Sequence, residues 1–410
     1  MTTSFSILCA DHSRREIGFL MNESITAHID ARSAALKQLA KAIFNFNEIA
    51  FQEERSSKAL AAYLENAGFE ISRGQAGMNT AFIAKYGSGS PCIALMGEYD
   101  ALPEIGHACG HNMIGTISAG AAVALKESGI PEQGKGTLLF IGCPAEEHGG
   151  GKILLVKAGI FEDVDAALII HPTNISTGYD ISYAIKCFFV EFFGKGAHAA
   201  AGPYKGVNAL DAMIAFWNGV SLMRQQMMER TRIHGIIVNG GQSFNTIPDY
   251  TKAEMGIRAL LMEEVDELSK KMTAIAEGAA SMTGCSFKIT ERDAQPEMYV
   301  NVPLAKTLDK NYEAVGERTT MRTYGQGVGS TDVGMVTQVV PGIQGYIDIT
   351  EGVKIPTHSP EFAEAANSER GYEAMIRAAK ALALTAGDLF SDAMLLEEVK
   401  RYFKERRRDF

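Results

Sequence analysis

Short apolar runs that alternate with helical segments most restrict how the N-terminal part of this chain can fold. Four runs flanked by Gly and Pro have the length of buried strands, and the segments between them, such as 116–126 and 152–158, have helical patterns. The alternation predicts an α/β fold with a mostly parallel mixed sheet flanked by helices. Ligands of such sheets bind beyond the carboxyl ends of the strands. The four runs are Thr80–Tyr86, Cys92–Met96, Gly136–Cys143 and Ala166–Ile170.

The pattern changes near residue 184. Residues 184–291 follow the order strand, helix, strand, strand, helix, strand, which is typical of a ferredoxin-like α+β unit. A chain of 410 residues also exceeds the size at which one hydrophobic core usually stops growing. We therefore expect one domain in two parts, 1–183 and 296–410, with an inserted domain at 184–295. Within these parts, helical spacing predicts helices from residue 24 to 66 and one helix over 361–386.

Composition argues against several classes of protein. The formal net charge of −10 disfavours nucleic acid as a partner. No window approaches about 18 consecutive apolar residues, and charged residues precede any long apolar run, so we expect neither a membrane span nor a signal peptide. The six cysteines are scattered, which predicts reduced thiols rather than a disulfide scaffold. These features predict a cytoplasmic enzyme that acts on a small molecule.

Residues 97–115 contain the strongest chemical signal. His107, Cys109 and His111 alternate there, and imidazole together with thiolate is a donor set that suits transition metals. Gly106 and Gly110 allow the backbone to turn tightly around these side chains. The alternative is a buried cysteine with two surface histidines in a loop.

Two further segments carry side chains that complement this loop. Glu146 and Glu147 directly follow a predicted strand, and one carboxylate can bind a metal while its neighbour transfers protons. The alternative is a pair of exposed acids at a helix N-terminus, where negative charge is stabilised. His171 follows another strand, and His358 lies in a loop bracketed by prolines; each could also be a turn residue without function.

The positions of these segments suggest a single site. The metal-candidate loop, the Glu pair and His171 all follow the carboxyl ends of predicted strands, which meet at one edge of a parallel sheet. With His358 they supply nitrogen, sulfur and oxygen donors in sufficient number for two metal ions that share a ligand and a water.

Several short motifs follow one another between about residues 30 and 385, namely GHACGHN, PAEE, HP, GAHAA and THS. In these motifs the chain resembles the aminoacylase/carboxypeptidase family of dinuclear metallohydrolases. The closest likeness is to the amidohydrolase branch, which includes aminobenzoyl-glutamate hydrolases, indoleacetyl-amino-acid hydrolases and a β-alanyl-lysine-type dipeptidase. The resemblance implies a zinc-exopeptidase-like catalytic domain.

The resemblance also implies roles for individual residues. Two Zn²⁺ or Mn²⁺ ions would be bound, Glu146 would be the general base, and His107 would stay outside the ligand set. Other branches carry a His-x-Asp element where this chain has Glu98-Tyr99-Asp100, so Asp100 would orient a ligand instead of binding metal. The implied metal ligands are Cys109, His111, Glu147, His171 and His358.

For the inserted domain, the resemblance implies a lid that also forms a homodimer. His198 would reach a substrate across the dimer and stabilise the oxyanion. Asn245 and Arg258 would bind the substrate's carbonyl or carboxylate, although Arg258 could equally form a salt bridge within the lid. Ser330-Thr331-Asp332, after the Gly-rich turn at Gly325–Gly329, would line the cleft or simply cap a helix.

The function favoured by these features is hydrolysis of an amide C–N bond in an N-acyl or aroyl amino acid or a dipeptide, by attack of a metal-activated water. A second hypothesis keeps the site but releases ammonia from an aromatic amine. A third is a non-catalytic binding protein on this fold. This third hypothesis would predict a broken ligand set or a missing base. The sequence contains the complete ligand set and the base.

Overall fold

The computed structural model describes residues 3–132, 134–320 and 329–406, and their side chains apart from those of residues 3–21 and 293. The described chain divides into two compact units. The larger contains residues 3–180, 299–320 and 335–406, and the smaller contains residues 181–298 and 329–334. The predicted Gly-rich turn, except for Gly329, lies outside the described residues.

The larger unit consists of one sheet and the helices that flank it. Its helices are α1 (Thr3–Phe46), α2 (Glu54–Asn66), α3 (His111–Glu127), α4 (Gly151–Lys157), α7 (Val302–Ala314), α9 (Pro360–Ala366), α10 (Glu369–Ser391) and α11 (Ala393–Lys404). Its strands are β1 (Glu70–Arg73), β2 (Phe82–Ser88), β3 (Cys92–Glu98), β4 (Gly136–Cys143), β5 (Ala166–Thr173) and β12 (Gly342–Asp348).

The smaller unit has its own set of elements. Its helices are α5 (Ala209–Met223) and α6 (Met262–Thr283), and α8 (Val333–Val339) begins within it. Its strands are β6 (Ala184–Phe193), β7 (Ala197–His198), β8 (Arg232–Asn239), β9 (Thr246–Ile247), β10 (Tyr250–Ala259) and β11 (Ser286–Gln295).

The sheet of the larger unit has the strand order β1-β2-β4-β3-β5-β12. The pairs β3–β4, β3–β5 and β5–β12 are parallel, whereas β1 and β2 add an antiparallel edge. The predicted α/β fold with a mostly parallel mixed sheet is therefore confirmed. In the β3–β4 register Glu98 pairs with Cys143, so the loops that follow these two strands leave the sheet side by side.

Small residues bring α3 close to the sheet. A Cβ atom at Gly115 would lie 2.9 Å from the carbonyl oxygen of Glu98, and the Ser118 hydroxyl donates a hydrogen bond to the Met96 carbonyl at 2.5 Å. The sequence predicted this helix from residue 116, but it begins at His111. Gly110 makes the earlier start possible, since its φ of +79° is in the left-handed region and a Cβ there would lie 2.4 Å from Pro172 Cγ.

Three further predicted boundaries were wrong, two of them because a specific contact overrides the local pattern. The helix expected over 361–386 breaks between α9 and α10, where the Ser368 hydroxyl accepts a hydrogen bond from Gly371 N at 2.9 Å and caps α10. His171 lies within β5 rather than after it, because pairing with Tyr346 of β12 extends the strand. The first helix, expected from residue 24, begins at Thr3.

The smaller unit is a four-stranded antiparallel sheet in the order β11-β6-β10-β8, with α5 and α6 between its strands in the chain. In chain order these elements read strand, helix, strand, strand, helix, strand, so the predicted ferredoxin-like α+β arrangement is present. Its core is formed by apolar residues of the sheet and both helices, including Phe192, Phe216 and Met272.

No helix among the described residues is both long enough and apolar enough to cross a lipid bilayer.

We predict that Gly151→Ala lowers the free energy of unfolding by about 1–3 kcal/mol, since an added Cβ would overlap a backbone atom that cannot move freely. That Cβ would lie 1.9 Å from the carbonyl oxygen of Pro144. The matched control is Gly278→Ala in the interior of α6, where no described atom beyond the chain neighbours and the backbone of α6 itself lies within 4 Å of the new Cβ. It should raise stability, because Ala is the better helix former. Denaturant unfolding followed by circular dichroism measures both, and equal signs would contradict the steric argument.

Candidate metal centre

The loop after β3 and the first turn of α3 place Cys109 and His111 beside each other. Gly110 separates them and turns the chain into the helix, so that His111 is the first residue of α3 and is fully buried. The carbonyl of Ala108 accepts a hydrogen bond from His358 N at 2.8 Å, which joins the loop before α9 to this loop. His358 has a φ of +63°, a conformation that is uncommon for a residue other than Gly.

The donor atoms of all five predicted ligands converge. Cys109 Sγ lies 3.4 Å from His171 Nε2, and Glu147 Oε1 lies 3.4 Å from His358 Nε2 and 3.7 Å from His111 Nε2. Three of the groups whose donor atoms all lie within 4.8 Å of one another contain predicted ligands, and these three overlap in Cys109, His111 and Glu147. The groups are Cys109/His111/His171, Cys109/Glu147/His358 and His111/Glu146/Glu147.

Hydrogen bonds from other atoms of the donors orient these side chains. Asp100, which is buried, accepts a hydrogen bond from His111 Nδ1 at 3.0 Å on one oxygen and from Glu147 N at 3.0 Å on the other. His171 Nδ1 donates to the Pro172 carbonyl at 2.7 Å. In both histidines Nε2 is therefore the nitrogen that faces the cluster, the usual arrangement around a metal-binding imidazole.

The cluster fits divalent cations. Among the described residues, the buried atoms His111 Nε2 and Glu147 Oε1 have no hydrogen-bond partner, although they face each other. Two donors on one ion, each at about 2.0–2.3 Å and in tetrahedral geometry, lie about 3.3–3.7 Å apart. The measured donor separations of 3.4 to 3.7 Å match that spacing. The nitrogen, sulfur and oxygen atoms are those that bind zinc and similar metals.

Burial and neighbouring charges shift the pKa values of the ionisable groups in the cluster in different directions. Burial and the nearby Glu147 carboxylate raise the pKa of the Cys109 thiol well above its ordinary range. Burial opposes ionisation of Glu147, but His358 and His111 outweigh it and lower the pKa of Glu147 to about 2. Burial and the neighbouring His111 lower the pKa of His171 to about 4. A cation would favour the thiolate that burial disfavours, since a metal ion stabilises its deprotonated ligands.

Two residues that the sequence did not assign lie against the cluster. Glu98 Oε2 lies 3.6 Å from His111 Nε2, and Glu98 Oε1 lies 2.6 Å from Lys152 Nζ. Both side chains are buried. Lys152 has no sequence signal, because lysines are almost always exposed and this one lies in the first turn of a short helix. Glu98 thus adds an oxygen donor at the cluster, and the buried ammonium group of Lys152 offsets the charge of the Glu98 carboxylate.

His107 takes no part in the donor groups. It is buried, its Nε2 lies 3.1 Å from the Ile43 carbonyl, and its ring packs 5.9 Å from the ring of Phe44. Burial lowers the pKa of His107 to about 4, so the ring is neutral at ordinary pH. Its contacts are those of a core histidine.

In the smaller unit, His198 and Asn245 lie on neighbouring exposed segments. His198 in β7 pairs with Thr246 of β9, and the carbonyl of Asn245 accepts a hydrogen bond from Ala199 N at 2.9 Å. His198 Nδ1 accepts hydrogen bonds from Ala200 N and Ala201 N at 3.2 and 3.1 Å. Because Nδ1 is an acceptor, a neutral His198 ring carries its proton on Nε2.

Arg258 on β10 donates hydrogen bonds to Ser330 Oγ at 2.8 Å and to His234 Nε2 at 3.3 Å. The alternative of a salt bridge within the predicted lid is not found, since no carboxylate of the described residues lies in ion-pair range of Arg258. Thr331 Oγ1 accepts a hydrogen bond from Val333 N at 3.2 Å at the start of α8, a contact of the kind that the helix-capping interpretation of this segment predicts.

Comparison with known proteins identifies the family of this chain. The model of peptidase family M20/M25/M40 matches residues 94–381. The chain belongs to this family. It is 36% identical over 403 residues to the Xaa-Arg dipeptidase of Mus musculus, covering 94% of this chain and 92% of that protein. It is 31% identical to one of the subunits of the p-aminobenzoyl-glutamate hydrolase of Escherichia coli, covering 91% and 92% respectively.

A solved structure of a dinuclear metal-binding peptidase of the M20 family from Bacillus subtilis has the same fold. Its TM-score is 0.65 at 22% identity, and the match covers 85% of this chain and 98% of that one. The predicted family and its amidohydrolase branch are confirmed. As a member of the M20/M25/M40 family, the chain is a hydrolase that acts on amide C–N bonds.

We predict that Lys152→Met lowers the free energy of unfolding of the metal-free protein by about 3–5 kcal/mol, because Glu98 is left buried without the cation beside it. The double variant Glu98→Leu/Lys152→Met should be distinctly more stable than the single one, since no charge of the pair is then left unpaired. Chemical denaturation measures both variants. A double variant as unstable as the single one would show that the two charges are not coupled.

Proposed function

We propose that this chain is a metal-dependent amidohydrolase that releases an amino acid from a dipeptide or from an N-acyl or aroyl amino acid. The observation that carries the proposal is the convergence of five metal-type donors next to Glu146, a carboxylate that shares a donor group with His111 and Glu147. The names of the dipeptidase and aminobenzoyl-glutamate hydrolase relatives support the substrate class, since both substrates join an acyl group to the nitrogen of an amino acid.

Two divalent ions, Zn²⁺ or Mn²⁺, would be held by the five donors, with Glu98 Oε2 in reach as a further oxygen. When bound, such ions lower the pKa of a coordinated water and polarise a carbonyl group. The residues proposed to hold them are Cys109, His111, Glu147, His171 and His358.

Glu146 would act as the general base and then as the general acid. Its carboxylate would accept a proton from the attacking water while the new C–O bond forms. It would pass that proton to the leaving nitrogen as the C–N bond breaks, so that a carboxylic acid and a free amine leave the site. Asp100 would support this step by orienting His111 and the backbone of Glu147 through its two hydrogen bonds.

The proposed roles of the smaller unit concern substrate binding. His198 would stabilise the oxyanion through Nε2–H, and its two hydrogen bonds at Nδ1 support this choice of tautomer. Asn245 and Arg258 would bind the substrate's carbonyl or carboxylate. Arg258 has no acidic partner among the described residues, which leaves its charge available for an anionic group.

We also propose a homodimer through the smaller unit and a cytoplasmic location. The dimer is supported by apolar side chains on the outer strand β8, where Ile236 is 63% and Val238 53% exposed, and on α5, where Leu222 is 77% exposed. An outer strand with exposed apolar residues tends to pair with another chain. Sedimentation of the purified protein as a monomer at micromolar concentration would contradict the dimer.

We predict that Glu146→Gln reduces kcat by about 10²–10⁴-fold, because the proton transfer is lost while the charge-neutral amide keeps the shape of the side chain. Metal content, measured by elemental analysis, should remain at the wild-type level. Cys109→Ala should instead lower metal content. Loss of metal from the Glu146→Gln protein would show that Glu146 is a metal ligand and not the general base.

We predict that a panel of dipeptides, N-acyl amino acids and aromatic amines yields free amino acid and no ammonia. Chelation should abolish the activity, and Mn²⁺ or Zn²⁺ should restore it, because the ions supply the polarisation described above. Dipeptides with a C-terminal basic residue are the first substrates to test, given the dipeptidase relatives. Release of ammonia from an aromatic amine would favour the deaminase, and metal binding without turnover would favour a binding protein.

A further inference from the structure

The turn that carries Glu146 and Glu147 has an unusual backbone. Ala145, directly before the pair, is buried and has a φ of +59°, in the left-handed region. This conformation is unfavourable for a residue with a Cβ and persists only where the surroundings impose it. The structure must therefore contain contacts that hold Ala145 in place, and with it the direction in which Glu146 leaves the chain.

Glu53 supplies such a contact. Its carboxylate is buried, and Oε1 accepts hydrogen bonds from Ala145 N and Phe51 N, both at 2.9 Å. Oε2 accepts a hydrogen bond from the Thr80 hydroxyl at 3.0 Å. Thr80 is itself anchored, because its carbonyl accepts a hydrogen bond from the Tyr99 hydroxyl at 2.6 Å.

The same turn is held from its other side. Glu147 N donates to Asp100 Oδ2 at 3.0 Å, so the backbone N–H groups on both sides of Glu146 bind buried carboxylates from other segments. The ring of Phe51 packs on the turn at Gly149, where a Cβ would lie 2.3 Å from Phe51 Cε2. Residues 51–53 thus touch the turn at two points.

Glu53 is also the residue that precedes α2, yet its side chain does not cap that helix. Glu48 performs that role, as it accepts hydrogen bonds from Arg55 N and Ser56 N at 2.9 Å and from Ser56 Oγ at 2.8 Å. Two glutamates of one short segment therefore have separate tasks. Glu48 secures the helix, and Glu53 turns away from it toward Ala145.

We propose that Glu53 is a positioning residue that sets the direction of the general base Glu146 by binding the backbone N–H of Ala145. The proposal rests on the role of Glu146 in the proposed function. It also explains why an acidic side chain is buried here, with its three hydrogen bonds accepted from two backbone N–H groups and the Thr80 hydroxyl. Burial, with the nearby Asp100 carboxylate, raises the pKa of Glu53 to about 7.

Two substitutions at Glu53 distinguish the effect of the side chain's length from the effect of its charge. Glu53→Asp keeps the carboxylate but is one methylene too short for Ala145 N, whereas Glu53→Gln keeps the length, and its amide oxygen can still accept that hydrogen bond. Glu48→Asp is the matched control, since it shortens the neighbouring carboxylate that caps α2. The measurements are kcat and KM on a substrate that the wild type hydrolyses, metal content and the midpoint of thermal unfolding.

We expect Glu53→Asp to lower kcat at least tenfold, because a small misplacement of a catalytic group is costly. Its KM should stay within twofold and its metal content at the wild-type level. Glu53→Gln should keep kcat within threefold, and Glu48→Asp should lower the unfolding midpoint with kcat within twofold of wild type.

The proposal is overturned if Glu53→Asp keeps its kcat, if Glu53→Gln loses as much as Glu53→Asp, or if Glu48→Asp loses kcat equally. Loss of metal from Glu53→Asp would also overturn it, since Glu53 would then support the ligands and not the base. A wild-type protein that binds no metal or hydrolyses no amide would instead refute the proposed function, so the two failures are distinguishable.

Discussion

The rest of the site depends on two hydrogen bonds that the Asp100 carboxylate accepts, because they connect two segments of the site to each other. One oxygen binds the first residue of α3 through His111 Nδ1, and the other binds the backbone of Glu147 in the turn after β4. An ionised carboxylate is only an acceptor, so it fixes both donors and specifies which nitrogen of His111 faces the cluster. Burial opposes the ionisation of Asp100, but the neighbouring His111 outweighs it and holds the pKa of Asp100 below its ordinary value.

Much of the fold and of the candidate site could be predicted from residue types. The alternation of strands and helices predicts where strand ends meet, and Cys109, His111 and Glu147 are chemically distinctive at those ends. The β3–β4 register explains why the prediction works, since Glu98 and Cys143 lie side by side and the two loops leave together. Local pattern and sheet geometry agree here.

Other features depend on contacts between distant residues and have no local signal. Lys152 is buried because Glu98 is within 2.6 Å, and nothing around Lys152 in the sequence indicates that partner. His171 belongs to β5 because Tyr346 pairs with it from the far end of the chain. Glu53 and Glu48 look alike in the sequence, and only their hydrogen bonds separate one task from the other. Predictions from spacing fail wherever a single long-range bond decides the outcome.

The hydrogen bond between His358 N and the Ala108 carbonyl has a consequence for how the protein matures. It brings His358, one of the predicted metal donors, from near the C-terminal end of the larger unit to the loop that holds Cys109. With the ligand set proposed above, a chain still emerging from the ribosome would have only part of the cluster, so tight metal binding would wait until α9 and its preceding loop have docked. Because ligand sites that form on folding couple metal affinity to folding, bound metal would mark a folded larger unit.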